Sequence, residues 1–138
     1  MPHIRIEYTR NLDAVVKEGG LLRAVHAAAA GCGVFPLWGV RTFAQPVDAY
    51  CVAQADAGNG FVHIAVRIAP GRSEAVRRQV AQRLLDAALA CLAPRFEAGR
   101  IGCQVELSEF DRASCLYRIR VDEGGGAMAD HWSEGAPA

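Results

Sequence analysis

Residues 3–8 alternate strictly, with Ile4, Ile6 and Tyr8 on one side and His3, Arg5 and Glu7 on the other. That period of two is the mark of a half-buried strand. Asn11 and Asp13 offer caps, and Leu21, Leu22, Val25 and Ala29 then recur at helical spacing until Gly31 and Gly33 stop the helix. The Gly19-Gly20 pair weakens the first turns, so the helix is expected to begin there. Phe35-Pro36-Leu37-Trp38-Gly39 reads as a turn into a strand over 40–45; Pro46 interrupts it, and 47–53 is expected to pair on as a further extended segment. Residues 55–60 read as a loop. The order then repeats: a strand over 61–68, a turn at Pro70-Gly71, and a long helix over 73–91 with Val76, Val80, Leu84, Leu85 and Ala88 on its apolar side. Pro94 comes near the helix end, a strand follows over 102–109, and a shorter one over 115–121.

Strand, helix and strand used twice predict an α/β (α+β) fold: two β–α–β units with right-handed crossovers, forming a four-stranded mixed sheet with two helices on one face. Such a sheet leaves its second face uncovered within one chain. Parallel pairs are normally buried on both faces, so an oligomer is expected to supply the missing layer. Residues 1–121 form the single domain, and 122–138, rich in Gly, Ala and polar residues, are expected to be a flexible C-terminal tail.

Composition narrows the functions available. The 138 residues carry 15 basic and 15 acidic side chains, so no surplus positive charge exists to neutralise phosphates, and a nucleic-acid partner is excluded. The longest apolar stretch, around 27–30, is far too short to span a bilayer, and no secretory segment precedes the first strand. The chain therefore reads as soluble and cytoplasmic, without a membrane partner. Five cysteines without a C-x-x-C pair argue against a disulfide framework or a zinc site, and they read as small buried hydrophobes. Lys17 is the one lysine, in a polar, turn-like stretch, which leaves little room for Schiff-base chemistry.

Few residues could carry chemistry. Pro2 follows Met1, and removal of Met1 would leave a secondary amine at the start of a core strand. An α-amino group titrates at about 7.7–8.0 when unperturbed, and burial or nearby cations lower that value, making a competent general base. Taken alone, a Met-Pro start is more often a matter of processing. Arg72 lies between a strand and a helix N-terminus, where a cation opposes the helix dipole. Either an anion bound there repays the placement or the side chain points into solvent, and the sequence leaves both open. Arg41, one of fourteen arginines, opens its strand just after the Trp38-Gly39-Val40 turn; a surface role is its default. His3 either shapes a site beside Pro2 or simply occupies a strand face. Glu106 and Glu109 point to opposite faces, against a paired-carboxylate mechanism.

Taken together, Met1-Pro2-His3 with its alternating strand, Gly33-Val34-Phe35-Pro36-Leu37-Trp38-Gly39-Val40-Arg41, and Phe61-Val62-His63-Ile64 running to Gly71-Arg72-Ser73 resemble the 5-carboxymethyl-2-hydroxymuconate isomerase family of the tautomerase superfamily. The likeness covers most of residues 2–109. It implies a homotrimer, an N-terminal proline base at Pro2, and two arginines, Arg41 and Arg72, that hold substrate carboxylates. It also implies a small carboxylated substrate of the 2-hydroxymuconate type, no cofactor and no metal, and a place in bacterial homoprotocatechuate degradation. His3 is a further candidate for substrate binding. The chain departs from the family at Ala57-Gly58-Asn59-Gly60 and in its C-terminal segment, which lacks the expected asparagine-rich stretch. Two alternatives follow: another activity of the superfamily, on phenylpyruvate-like enols or by hydration of unsaturated acids, and a non-catalytic oligomeric anion-binding protein.

Overall fold

The structure, a computed structural model, describes residues 1–122 and 128–132. Strand β1 (His3–Thr9) leads through a 3₁₀ turn (Arg10–Leu12) to helices α1 (Asp13–Glu18) and α2 (Leu21–Ala30). A second 3₁₀ turn (Leu37–Gly39) enters β2 (Arg41–Val47), and β3 (Gly60–Ile68), α3 (Glu74–Glu97) and β4 (Ile101–Glu109) form the second unit. The sheet order is β2-β1-β3-β4; β1 runs parallel to β2 and antiparallel to β3, and β3 runs parallel to β4. This is the four-stranded mixed sheet expected from the twice-used pattern.

Alternation decides which sheet face is covered. Ile4 and Ile6 of β1 and Val62, Ile64, Val66 and Ile68 of β3 are at most 1% exposed, packed with Leu21, Val25 and Ala29 of α2 and Val80, Leu84, Ala88 and Leu92 of α3. Burying each such side chain contributes roughly 1.5–3 kcal/mol. The opposite face carries His3, Arg5, Arg41, Phe43, His63 and Arg67, all exposed or half-buried, with Phe43 54% exposed. His63 sits there 3.5 Å from Glu106, whereas Glu109 pairs with Arg77 at 3.4 Å.

Four expectations need correction. Pro46 does not interrupt its strand: it lies in register with Tyr8, and β2 runs on to Val47. β2 is an edge strand, where a residue without an N–H is tolerated. Residues 48–53 do not pair on; they start a loop in which Ala53 and Ala55 hold positive φ. The first helix is two helices, because Gly20 turns left-handed (φ +67°) between α1 and α2. Finally, β5 (Arg118–Asp122) pairs antiparallel with β6 (Met128–Trp132), a strand within the stretch expected to be tail. The remainder of that stretch, 123–127 and 133–138, lies outside the described residues. The hairpin rests on the turn before β2, with the His131 ring stacked on Trp38 at 3.9 Å. Pro94 lies inside α3, one turn from its end.

Candidate active site

The start of β1 is held from both sides. Pro2 is fully buried, and its carbonyl accepts a hydrogen bond from the Arg41 N–H at 3.2 Å, extending the β1–β2 ladder by one rung. The 3₁₀ turn closes with Gly39 N–H on the Pro36 carbonyl at 3.0 Å and brings Gly39 against Met1. A Cβ on Gly39 would stand 3.1 Å from Met1 Cγ and 3.3 Å from its Cα. Glycine is what lets the turn pass so close to the first residue.

Arg41 opens β2 on the face that carries His3, its register partner. Among the described residues its Nη2 reaches only the Met1 sulfur, at 3.6 Å, and its Nε is buried without a hydrogen-bond partner. A buried guanidinium N–H left unpaired is costly, and a carboxylate is the group that satisfies it best. Arg72 arrives from the other unit. The turn after β3 depends on Gly71, whose φ of +105° only glycine adopts freely, and ends on Ser73, whose Oγ caps α3 by accepting from Val76 N–H at 3.3 Å. Arg72 Nη1 donates to the Ala69 carbonyl at 3.2 Å, and Arg112 Nη2 braces the same turn through the Pro70 carbonyl at 3.3 Å.

These charges act on the amine of Met1, one residue before the Pro2 nitrogen. Burial depresses its pKa below the ordinary 8.0; Arg72 and then Arg41 lower it further, Arg112 adds a smaller effect, and the Cys115 thiol opposes them. His3 is likewise pushed down, first by burial and then by Arg41, Arg5 and Arg67. Both groups are therefore biased towards the neutral form.

A cavity of about 240 Å³ opens here, lined by Met1, His3, Arg41, Arg67, Phe110 and Cys115. The structure thus brings His3 and Arg41 together in this lining, with Pro2 bonded to Arg41 through its carbonyl but buried and outside the lining. Arg72 acts on the amine electrostatically but stands outside the cavity lining. Sequence reasoning missed Arg67, Phe110, Arg112 and Cys115. Arg67 carried a signal, since it alternates onto the same side as His63, but nothing local tied that side to His3. A larger cavity of about 470 Å³, between Glu7–Thr9 and the 50–53 loop, has no arginine in its lining and no terminal amine, and it offers less chemistry. The described residues hold no cluster of His, Cys, Asp and Glu suited to a metal ion, and all five cysteines are free.

Known structures share this fold. The chain is similar to a 5-carboxymethyl-2-hydroxymuconate isomerase from Deinococcus radiodurans R1, with a TM-score of 0.75 and 29% identity, covering 83% of this chain and 86% of that one. It also shares its fold with a fused 4-OT described as a symmetric trimer, at a TM-score of 0.63 and 18% identity, covering 81% and 88% of the two chains. Fold and relatives together define an isomerase of the tautomerase superfamily. The 5-carboxymethyl-2-hydroxymuconate isomerase family model matches residues 2–118, and the chain belongs to that family. A relative from Escherichia coli, 5-carboxymethyl-2-hydroxymuconate Delta-isomerase, is 28% identical over 109 residues, which is 79% of this chain and 86% of that protein.

Proposed function

We propose that this protein isomerises a 2-hydroxymuconate-type carboxylated dienol, 5-carboxymethyl-2-hydroxymuconate or a close analogue, with the amine of Pro2 as its base. Removal of Met1 turns the Pro2 nitrogen from a tertiary amide into a basic secondary amine and empties the space that Met1 fills beside Gly39 and Arg41. The neutral amine takes the proton of the 2-hydroxyl and returns it to a carbon of the diene, so that the enol becomes the conjugated 2-oxo isomer with no net loss of atoms or charge. Arg41 and Arg72 hold carboxylate and stabilise the negative charge that develops on the enolic oxygen. His3, kept neutral beside Arg41, lines the same space.

One observation carries this reading: burial and two arginines from separate β–α–β units converge on the Met1 amine, one residue from the Pro2 nitrogen, while the Arg41 Nε has no partner among the described residues. Homotrimer assembly is part of the proposal, supported by the uncovered sheet face and by the trimeric 4-OT that shares the fold. So is action in the cytoplasm within bacterial breakdown of aromatic compounds; no described helix is long and apolar enough to cross a membrane.

The test is an ultraviolet ketonisation assay on 2-hydroxymuconate, with the intact mass measured on the same sample. A chain lacking Met1 is expected to be active, and Pro2→Ala is expected to lose at least about 10² in kcat/KM, the usual contribution of a positioned base. Undiminished turnover by Pro2→Ala, or by a chain that keeps Met1, would refute the proline base. Loss in the arginine variants alone would point to an anion-binding protein instead.

A further inference from the structure

Strand register sets a second cation opposite the first. His3 of β1 faces Arg41 of β2 on one side and Arg67 of β3 on the other, and all three side chains project from the same sheet face. Neighbouring strands lie about 4.8 Å apart, so the Arg41 and Arg67 backbones stand about 10 Å apart across β1. Both arginines line the 240 Å³ cavity, with His3 between them, and Arg67 and Arg41 each act on the His3 ring. Among the described residues neither has a carboxylate within ion-pairing distance, although Arg5, one position along the same face, is matched by Glu7 at 3.2 Å. The cavity is therefore bordered by positive charge on two sides, with the terminal amine at one of them.

Arg41 and Arg72, which both act on the amine, suffice for a carboxylate and the enolic oxygen beside it. A further guanidinium across His3 suits a ligand that carries another anionic group at its far end. We infer that Arg67 is a specificity-determining residue that binds the carboxylate remote from the reacting end of the substrate, so that the site selects extended dicarboxylates over monocarboxylates of the same carbon chain. Guanidinium pairs bidentately with carboxylate, so arginine gives both charge and direction there. The inference rests on reading this cavity as the substrate site, but not on the proline acting as the base.

A binding measurement separates the two. Isothermal titration of the protein lacking Met1 is made with trans,trans-muconate and with 2,4-hexadienoate, which has the same six-carbon diene and one carboxylate. The wild type is expected to bind muconate at least about tenfold more tightly, the usual effect of a charge-assisted pair. Arg67→Gln is expected to weaken muconate by that factor and to move 2,4-hexadienoate by less than about twofold, with Arg67→Lys in between. Arg67 is exposed within one chain, on the sheet face that the proposed trimer covers, so a melting curve and the oligomeric state of each variant are measured alongside to check that fold and assembly are unchanged. Equal loss for both ligands, no change for either, or no preference for muconate in the wild type would each overturn the assignment. Because no turnover is measured, failure of the proline base leaves this result standing, and failure here leaves the proline base standing.

Discussion

Arg41 is a residue whose placement should cost the fold what it contributes to binding. Among the described residues its Nε is buried without a partner and its Nη2 meets only a thioether sulfur at 3.6 Å. A buried N–H left unsatisfied costs about 1–3 kcal/mol. Its positive charge also repels the Met1 amine. Arg41→Met keeps the length and apolar stem of the side chain while removing both penalties. The backbone N–H still bonds the Pro2 carbonyl, so the β1–β2 ladder is untouched. The variant should gain about 1–3 kcal/mol of stability, and at roughly 2–8 °C per kcal/mol for a domain of this size the melting temperature should rise by several degrees. In the ketonisation assay the same variant should lose roughly 10- to 150-fold in kcat/KM, the equivalent of one charge-assisted interaction of about 1.5–3 kcal/mol. Thermal melts monitored by circular dichroism, set beside initial rates, measure the two effects on one preparation. A fall in melting temperature would refute the reasoning, because Arg41 would then be supporting the fold rather than waiting for a ligand.

The burial and arginines that depress the Met1 amine should act likewise on the Pro2 amine exposed when Met1 is removed: activity needs the neutral amine, so the acidic limb of kcat/KM should lie below the ordinary 8.0, and Arg72→Gln should move it upward because a repelling cation is gone. An unmoved limb would mean that the amine is not the titrating base. Tyr8 is pushed up to about 12 by burial and by its hydrogen bond and proximity to Asp13, with its hydroxyl donating to Oδ1 at 2.7 Å. The folded chain then holds that proton more tightly than the unfolded chain, whose tyrosine titrates near 10, so its stabilising contribution is complete below pH 10 and is lost as the pH rises towards 12. Alkaline melts of the wild type should fall across that window, and Tyr8→Phe should remove this part of the fall.

Much of the fold was legible because its signals are local. The alternation of Ile4, Ile6 and Tyr8, and the four-residue spacing of Val80, Leu84 and Ala88, are set by which side chains leave water, and the structure buries those positions. Pro46 misled for a local reason: whether a missing N–H matters depends on whether the strand is central or at an edge, and strand order is not written in the strand itself. β6 was missed similarly, since the strand Met128–Trp132 has little apolar alternation and is held by pairing with Arg118–Asp122 and by the stacking of His131 on Trp38.

The candidate site divides along the same line. Pro2, Arg41 and Arg72 were visible in the sequence as residue types in suggestive surroundings, each equivocal when taken singly. That burial and both arginines act on one amine, and that Arg67 faces Arg41 across His3, depends on strand register and on a turn passing over Gly71. Periodicity reports only the side a residue faces, because burial acts on each element separately. Register joins residues more than sixty positions apart through backbone hydrogen bonds, and only the closed sheet determines which arginines meet at the amine.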